Sequence, residues 1–215
     1  MSVNIHFATT AHTGYAQAIC DLIETAAKQR GTGIAKRDPE YIKTKMNNGN
    51  AVIALDGDQL AGFCYIEIWE EKKYVANSGL IVHSDYRGHG LAKKIKSKAF
   101  ELSKKKYPES KLFGITTSLP VMKINSDLGY RPVTFSELTQ DDTFWKGCQS
   151  CPNYDILTRN DRKNCLCTGM LYDPNKPNLN SKPERERNVK KFYRWVQLKK
   201  EAFSKALNNA KVFLS

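Results

Sequence analysis

The chain has 215 residues, 40% of them hydrophobic, and a formal net charge of +12. That is enough for one packed domain with room for an appendage. No apolar run approaches the ~20 residues a membrane-spanning helix needs. The opening Met1-Ser2-Val3-Asn4-Ile5-His6 lacks the basic and apolar regions of a signal peptide. A soluble, cytoplasmic protein is therefore expected, whose six cysteines are thiols or metal ligands rather than disulfides. The charge favours anionic partners without choosing among nucleic acid, acidic surfaces and anionic metabolites.

In chain order, Val3 to Ala8 reads as a first strand. Ala11 to Arg30 is a helix with Tyr15, Ile19, Leu22, Ile23 and Ala26 at helical spacing, ended by Gly31-Thr32-Gly33. Asp38-Pro39-Glu40 has the form of an N-cap with proline at the first helical position, opening a helix to about Asn47. Ala51 to Leu55 and Leu60 to Trp69 are strands joined by Asp56-Gly57-Asp58. On the second, Cys64, Ile66 and Ile68 share one face; Phe63, Tyr65, Glu67 and Trp69 share the other. Apolar content on both faces implies a covered, central strand, so Glu67 is a carboxylate on an aromatic face.

Val75 to Val82 is a strand, and Leu91 to Tyr107 a helix burying Leu91, Ile95, Ala99 and Leu102, with Lys93, Lys94, Lys96 and Lys98 mostly off that stripe. Lys111 to Thr117 is the next strand. A short helix from Ser118-Leu119-Pro120 stops at Gly129, Arg131 to Leu138 is a strand, and a last strand runs from Cys167 to Tyr172.

Between the strand ending at Val82 and the helix opening at Leu91, Gly88 and Gly90 let backbone approach a ligand closely. The helix start adds unpaired N–H groups and the positive end of its dipole, which together suit a phosphate or pyrophosphate. Arg87-Gly88-His89-Gly90-Leu91-Ala92 resembles the Arg/Gln-x-x-Gly-x-Gly/Ala signature of the GNAT superfamily of N-acyltransferases. The third glycine of a dinucleotide fingerprint and the Gly-Lys-Ser/Thr of a P-loop are absent.

The resemblance spans about Val3 to Tyr172 and implies an α/β fold: a mixed central sheet with helices on both faces and a splayed parallel strand pair, here Val75–Val82 and Lys111–Thr117. It implies acetyl-CoA or another acyl-CoA as co-substrate, held by Arg87, Gly88, His89, Gly90, Leu91 and Ala92, with backbone of Leu80, Ile81 and Val82 polarising the thioester carbonyl. An acceptor amine with a pKa near 10.4 is almost wholly protonated at pH 7, so a base is required. Glu67 is the candidate, the alternative being a carboxylate paired to a neighbouring Arg or Lys. The tyrosine that usually serves as acid in the family is replaced by Asn125, which can hydrogen-bond the sulfur and cannot protonate it.

Arg30, Lys36 and Arg37 lie where many GNAT proteins shape the acceptor pocket, and could clamp a carboxylate or form a basic surface loop. The chain also resembles small bacterial GNAT proteins connected with arginine synthesis, which implies an acidic acceptor such as glutamate and an acetyl or succinyl donor.

Cys148, Cys151, Cys165 and Cys167 form Cys-x2-Cys and Cys-x-Cys pairs within an insert at 145–170. Structural zinc, reduced thiols and redox or cluster chemistry all fit this spacing. Cys20 and Cys64 read as core residues. The domain is expected to span 1–174, followed by a linker and basic amphipathic helix over 175–215. Lys182 to Ser215 carries ten Lys/Arg against three Glu. That helix fits packing on its own domain or on a second subunit, making a homo-oligomer; nucleic acid or a membrane surface is the less favoured partner.

The expectation is thus an acyl-CoA-dependent N-acyltransferase acting on a small-molecule amine. A protein-lysine acetyltransferase and a non-catalytic GNAT-like module binding nucleic acid or protein are the alternatives.

Overall fold

A computed structural model describes residues 2–30 and 35–176. Seven strands form one mixed sheet in the order β1-β2-β3-β4-β5-β7-β6. They are β1 (Val3–Phe7), β2 (Ala51–Asp56), β3 (Gln59–Trp69), β4 (Tyr74–Val82), β5 (Lys111–Thr116), β6 (Arg131–Val133) and β7 (Thr168–Tyr172). Every neighbouring pair is antiparallel except β4 and β5.

Six α-helices accompany the sheet in the described residues: α1 (Ala16–Arg30), α2 (Pro39–Asn47), α3 (Leu91–Lys106), α4 (Leu119–Asp127), α5 (Asp142–Lys146) and α6 (Tyr154–Arg159). None is long and apolar enough to cross a membrane. The start of α2 follows from its sequence: Pro39 needs no N–H partner at N1, and Asp38 accepts hydrogen bonds from the N–H groups of Glu40 (2.8 Å) and Tyr41 (3.4 Å).

The alternation along β3 sorts the helices to the two faces. Cys64 and Ile66 join Val75, Leu112 and Met170 in a core under Leu91, Ile95, Ala99 and Leu102 of α3. Phe63 and Tyr65 pack on the opposite face with Ile19 and Ile23 of α1 and Ile42 and Met46 of α2. A third cluster joins Ala76, Phe113 and Leu171 to Trp145 of α5 and Leu157 of α6. Cys20 and Cys64 are buried core thiols, as expected.

Three local expectations need correction. The stretch from Thr10 to Tyr15 is a 3-10 turn, and α1 begins only at Ala16. β6 ends at Val133 and is followed by a 3-10 turn over Phe135–Glu137, which buries Phe135 and Leu138 without extending the sheet. Glu70, just past the end of β3, accepts 2.7 Å bonds from Thr139 Oγ1 and Gln140 N, pinning the segment that leads into α5. Lys96, grouped by spacing with exposed lysines, is 2% exposed. The expected basic helix after residue 175, Gly31 to Gly33 and the Arg30 side chain lie outside the described residues.

Candidate active site

β4 pairs with β5 over only three positions, Tyr74–Ala76 against Lys111–Phe113. Beyond Ala76 the strands diverge into a fork whose closed end lies at Asn77 and Gly114. A cleft of about 500 Å³ occupies this fork and continues between α2 and the cysteine insert.

Further along, β4 changes register against β3. Phe63 faces Ile81 and Tyr65 faces Ser78, leaving Gly79 and Leu80 opposite the single residue Cys64. This is a β-bulge, which takes backbone amides out of the ladder and re-aims them. Gly79 is required there twice over. Its φ is +63°, and a Cβ would come within 2.3 Å of the Tyr65 ring. Leu80 and Ile81 line the cleft beside the bulge.

Past Val82, His83 Nδ1 accepts from Asp85 N at 3.5 Å within the turn. Arg87 Nε donates to Val82 O at 3.1 Å, so this side chain braces the loop from within. Gly88 and Gly90 have φ of +84° and +73°, with open space where a Cβ would stand. The loop then enters α3, whose first regular bond is Lys94 N to Gly90 O, leaving the amides of Leu91, Ala92 and Lys93 at the helix mouth. Those amides and the glycine loop, His89 included, fit the diphosphate of an acyl-CoA. Lys93 is occupied by Asp127 at 2.7 Å, and this partner lowers the carboxyl pKa of Asp127.

Glu67 lies on the cleft wall, 9% exposed. Tyr41 donates its hydroxyl hydrogen to Glu67 Oε1, and Lys45 Nζ stands 3.7 Å from the same oxygen and 4.4 Å above the Tyr41 ring. Burial, then the neighbouring Tyr65 and Glu67, push the Tyr41 hydroxyl well above its ordinary pKa, so it remains a donor. Burial lowers the Lys45 pKa against the opposing pull of Glu67. Arg37 Nε donates to the Tyr65 hydroxyl, while its Nη1 donates to Ala35 O and Lys36 O. Glu67 thus has the lysine partner that the ion-pair alternative called for, and it also lines the cleft.

Sequence reasoning missed Tyr41 and Lys45 as companions of Glu67. Tyr65 was visible on the same face of β3. Tyr41 and Lys45 stand one helical turn apart on α2, and only the packing of α2 on β3 brings them there.

Lys36 and Arg37 both border the cleft. Lys36 N donates to Ser150 Oγ at 3.0 Å, tying this loop to the cysteine insert. Trp69 and Asn125 also border the cleft, and among the described residues the buried Trp69 Nε1 and Asn125 Oδ1 have no hydrogen-bond partner.

Cys148, Cys151 and Cys167 face the cleft, and all four insert cysteines surround a smaller hollow behind it. Burial and the neighbouring thiols raise Cys148 to about 11 and Cys167 to about 12. The spacing thus brings the four together, but the zinc site it suggested lacks support. Among the described residues no three His, Cys, Asp or Glu side chains are grouped to hold a metal ion.

Residues 33–118 match the model of the acetyltransferase (GNAT) family. No curated protein matches the chain. Among solved structures, N-acetylglutamate synthase from Neisseria gonorrhoeae, complexed with coenzyme A and N-acetyl-glutamate, superposes with a TM-score of 0.59 at 17% identity over 82% of this chain. The present chain spans only 36% of that protein's length. A GNAT acetyltransferase of Staphylococcus aureus gives 0.57 at 16% identity, covering 80% of this chain and 99% of its own. Rv2747 from Mycobacterium tuberculosis, solved with CoA, gives 0.56 at 14% identity, with 79% and 98% covered. The matched segment runs from the loop before α2 through β5, so the part of the chain that is similar to the GNAT acetyltransferase family contains the bulge, the fork and the glycine turn.

Proposed function

We propose that this protein transfers an acyl group from acyl-CoA to the amine of a small acidic acceptor, with glutamate the first candidate. The observation that carries the reading is Glu67 in the wall of the same cleft that the β4 bulge and the β4–β5 fork open onto.

Acyl-CoA supplies a thioester carbon for the amine to attack and a sulfur to leave. Glu67 takes a proton from the acceptor's ammonium, directly or through one water, so that the nitrogen lone pair can form the new C–N bond. The Leu80 region of the bulge offers backbone N–H groups to the carbonyl oxygen as it gains charge. As the C–S bond breaks, the nitrogen gives up its second proton to solvent, the Asn125 amide can donate a hydrogen bond to the departing sulfur, and the sulfur takes its proton from solvent.

On the acceptor side, Lys36 and Arg37 bring positive charge to the cleft rim, and Trp69 Nε1 is a buried donor in need of an acceptor atom. A carboxylated amino acid meets both needs. The likeness to N-acetylglutamate synthase agrees with this choice, and a role in arginine synthesis would go with it.

The test is mass-spectrometric detection of products from acetyl-CoA and succinyl-CoA against amino acids, polyamines and peptides. Acylglutamate is the expected product. Acylation of peptides alone would overturn the acceptor, and absence of turnover with every amine would overturn the activity.

A further inference from the structure

The lysine that the helical pattern placed off the buried stripe of α3 is itself buried. Lys96 projects from α3, on the face of the sheet opposite α2, and reaches the cleft through the gap that the fork opens. Its Nζ lies 4.0 Å from the position a Cβ on Gly114 would take, and 5.3 Å from the centre of the Tyr130 ring. Asn77, across the fork from Gly114, is itself engaged. Its Nδ2 donates to Ser103 Oγ at 2.8 Å and its Oδ1 accepts from the Tyr130 hydroxyl at 3.0 Å.

No carboxylate pairs with Lys96 among the described residues; the titratable neighbour acting on it there is the Cys64 thiol, which burial pushes up to about 11 and so keeps neutral at pH 7. A buried ammonium without a counter-charge is costly, and a fold retains one where something else supplies the anion. Burial accordingly lowers its pKa to about 8.

The position of this charge along the cleft limits what that anion can be. The diphosphate end belongs at the open end of the fork, where Val82 leads into the glycine loop. Asn77 is five residues back along β4, roughly 17 Å away at the usual strand rise. The bulge at Gly79 and Leu80, where the thioester carbonyl is polarised, comes first. Lys96 lies beyond it, at the closed end, where only the tail of the acyl group can arrive.

Resting on the acyl-transfer reading above, we propose that Lys96 recognises the far end of the acyl group and selects a donor ending in a carboxylate, of the succinyl class, over acetyl. A short dicarboxylic acyl chain supplies the missing counter-charge, and the cleft that Lys96, Asn77 and Gly114 line together is where it would lie. An acetyl group would leave the ammonium unpaired.

The proposal is tested by calorimetric binding of succinyl-CoA, acetyl-CoA and CoA to the full chain and to Lys96→Met and Lys96→Gln. Wild type should bind succinyl-CoA about tenfold or more tightly than acetyl-CoA, as a charge-assisted hydrogen bond allows. Both substitutions should erase that preference while changing acetyl-CoA affinity by less than about threefold, within the spread expected of a lost contact elsewhere. Thermal melts of the variants establish that they are folded. Equal affinity of wild type for both donors overturns the proposal, as does an equal loss for both in the variants, which would move Lys96 to the shared sulfur. Either result leaves acyl transfer standing; failure of all three ligands to bind overturns that reading together with this one.

Discussion

Tyr41 and Glu67, 26 residues apart, meet across the packing of α2 on β3, with the tyrosine hydroxyl donating to Glu67 Oε1. The contact holds the carboxylate in one orientation at the cleft wall and leaves its other oxygen to accept a proton. Glu67→Gln keeps the shape and removes the basicity. The expected result is a fall in kcat of about 10²- to 10⁴-fold at pH 7, recovering partly at higher pH as the acceptor amine loses its proton unaided. Tyr41→Phe should cost less, roughly tenfold, since it removes a hydrogen bond to a charged group and leaves the base itself. Product formation by mass spectrometry against pH measures both. Unchanged activity in Glu67→Gln would place the base elsewhere.

Gly79 carries a different burden, because the bulge exists only if its backbone stays at positive φ against the Tyr65 ring. Gly79→Ala adds a left-handed penalty of ~1 kcal/mol or more and an overlap that pushes on a fully buried tyrosine. A loss of about 2–4 kcal/mol in urea unfolding is expected. Activity should fall further than stability alone accounts for, since Leu80 would swing out of line. Wild-type stability in Gly79→Ala would mean that β4 can run straight.

Much of this site could be read before any coordinates existed, because its signals are local. Asp38-Pro39-Glu40 is a complete helix start within three residues, and the strict alternation of β3 put Glu67 on the correct face. Arg87 to Ala92 combine glycines, strand end and helix start in one short stretch. The remainder depends on contacts distant in sequence. Lys96 sits in a run of lysines that resembles a solvated face. What buries it is the end of β4–β5 pairing after Ala76, which leaves a hole in the sheet that no helical periodicity records. Arg131 to Leu138 was too long as a strand for a similar reason. Phe135 and Leu138 are buried by packing against Trp145 and its neighbours, not by pleating. The short helices α5, which leads into the insert, and α6, within it, are masked by the cysteines that dominate the pattern there.

At Gly90 the backbone is again left-handed, but the space around it is open. Gly90→Val should therefore leave the fold nearly intact while twisting the amides at the start of α3 away from the diphosphate. CoA affinity should fall by about tenfold or more by calorimetry, with the melting temperature lowered by only a few degrees. Wild-type affinity in this variant would remove the glycine loop from the binding site.

Lys96 also leaves a signature in the stability of the ligand-free protein. Its pKa is about 8 when folded and 10.5 as a free side chain. Below pH 8 both states carry the proton, and the folded state bears the full cost of burying it. Between pH 8 and 10.5 the unfolded chain keeps a proton that the folded chain has released, so stability rises with pH. Above 10.5 both are neutral and the penalty is gone. The shift corresponds to about 3 kcal/mol at most. Other groups titrate over the same range, so the useful quantity is the difference between wild type and Lys96→Met. The variant should be the more stable at pH 7, with its advantage shrinking steadily by pH 9.5. Urea unfolding at the two pH values measures this, and an advantage that does not change with pH would mean that Lys96 is already neutral, or well solvated, at pH 7.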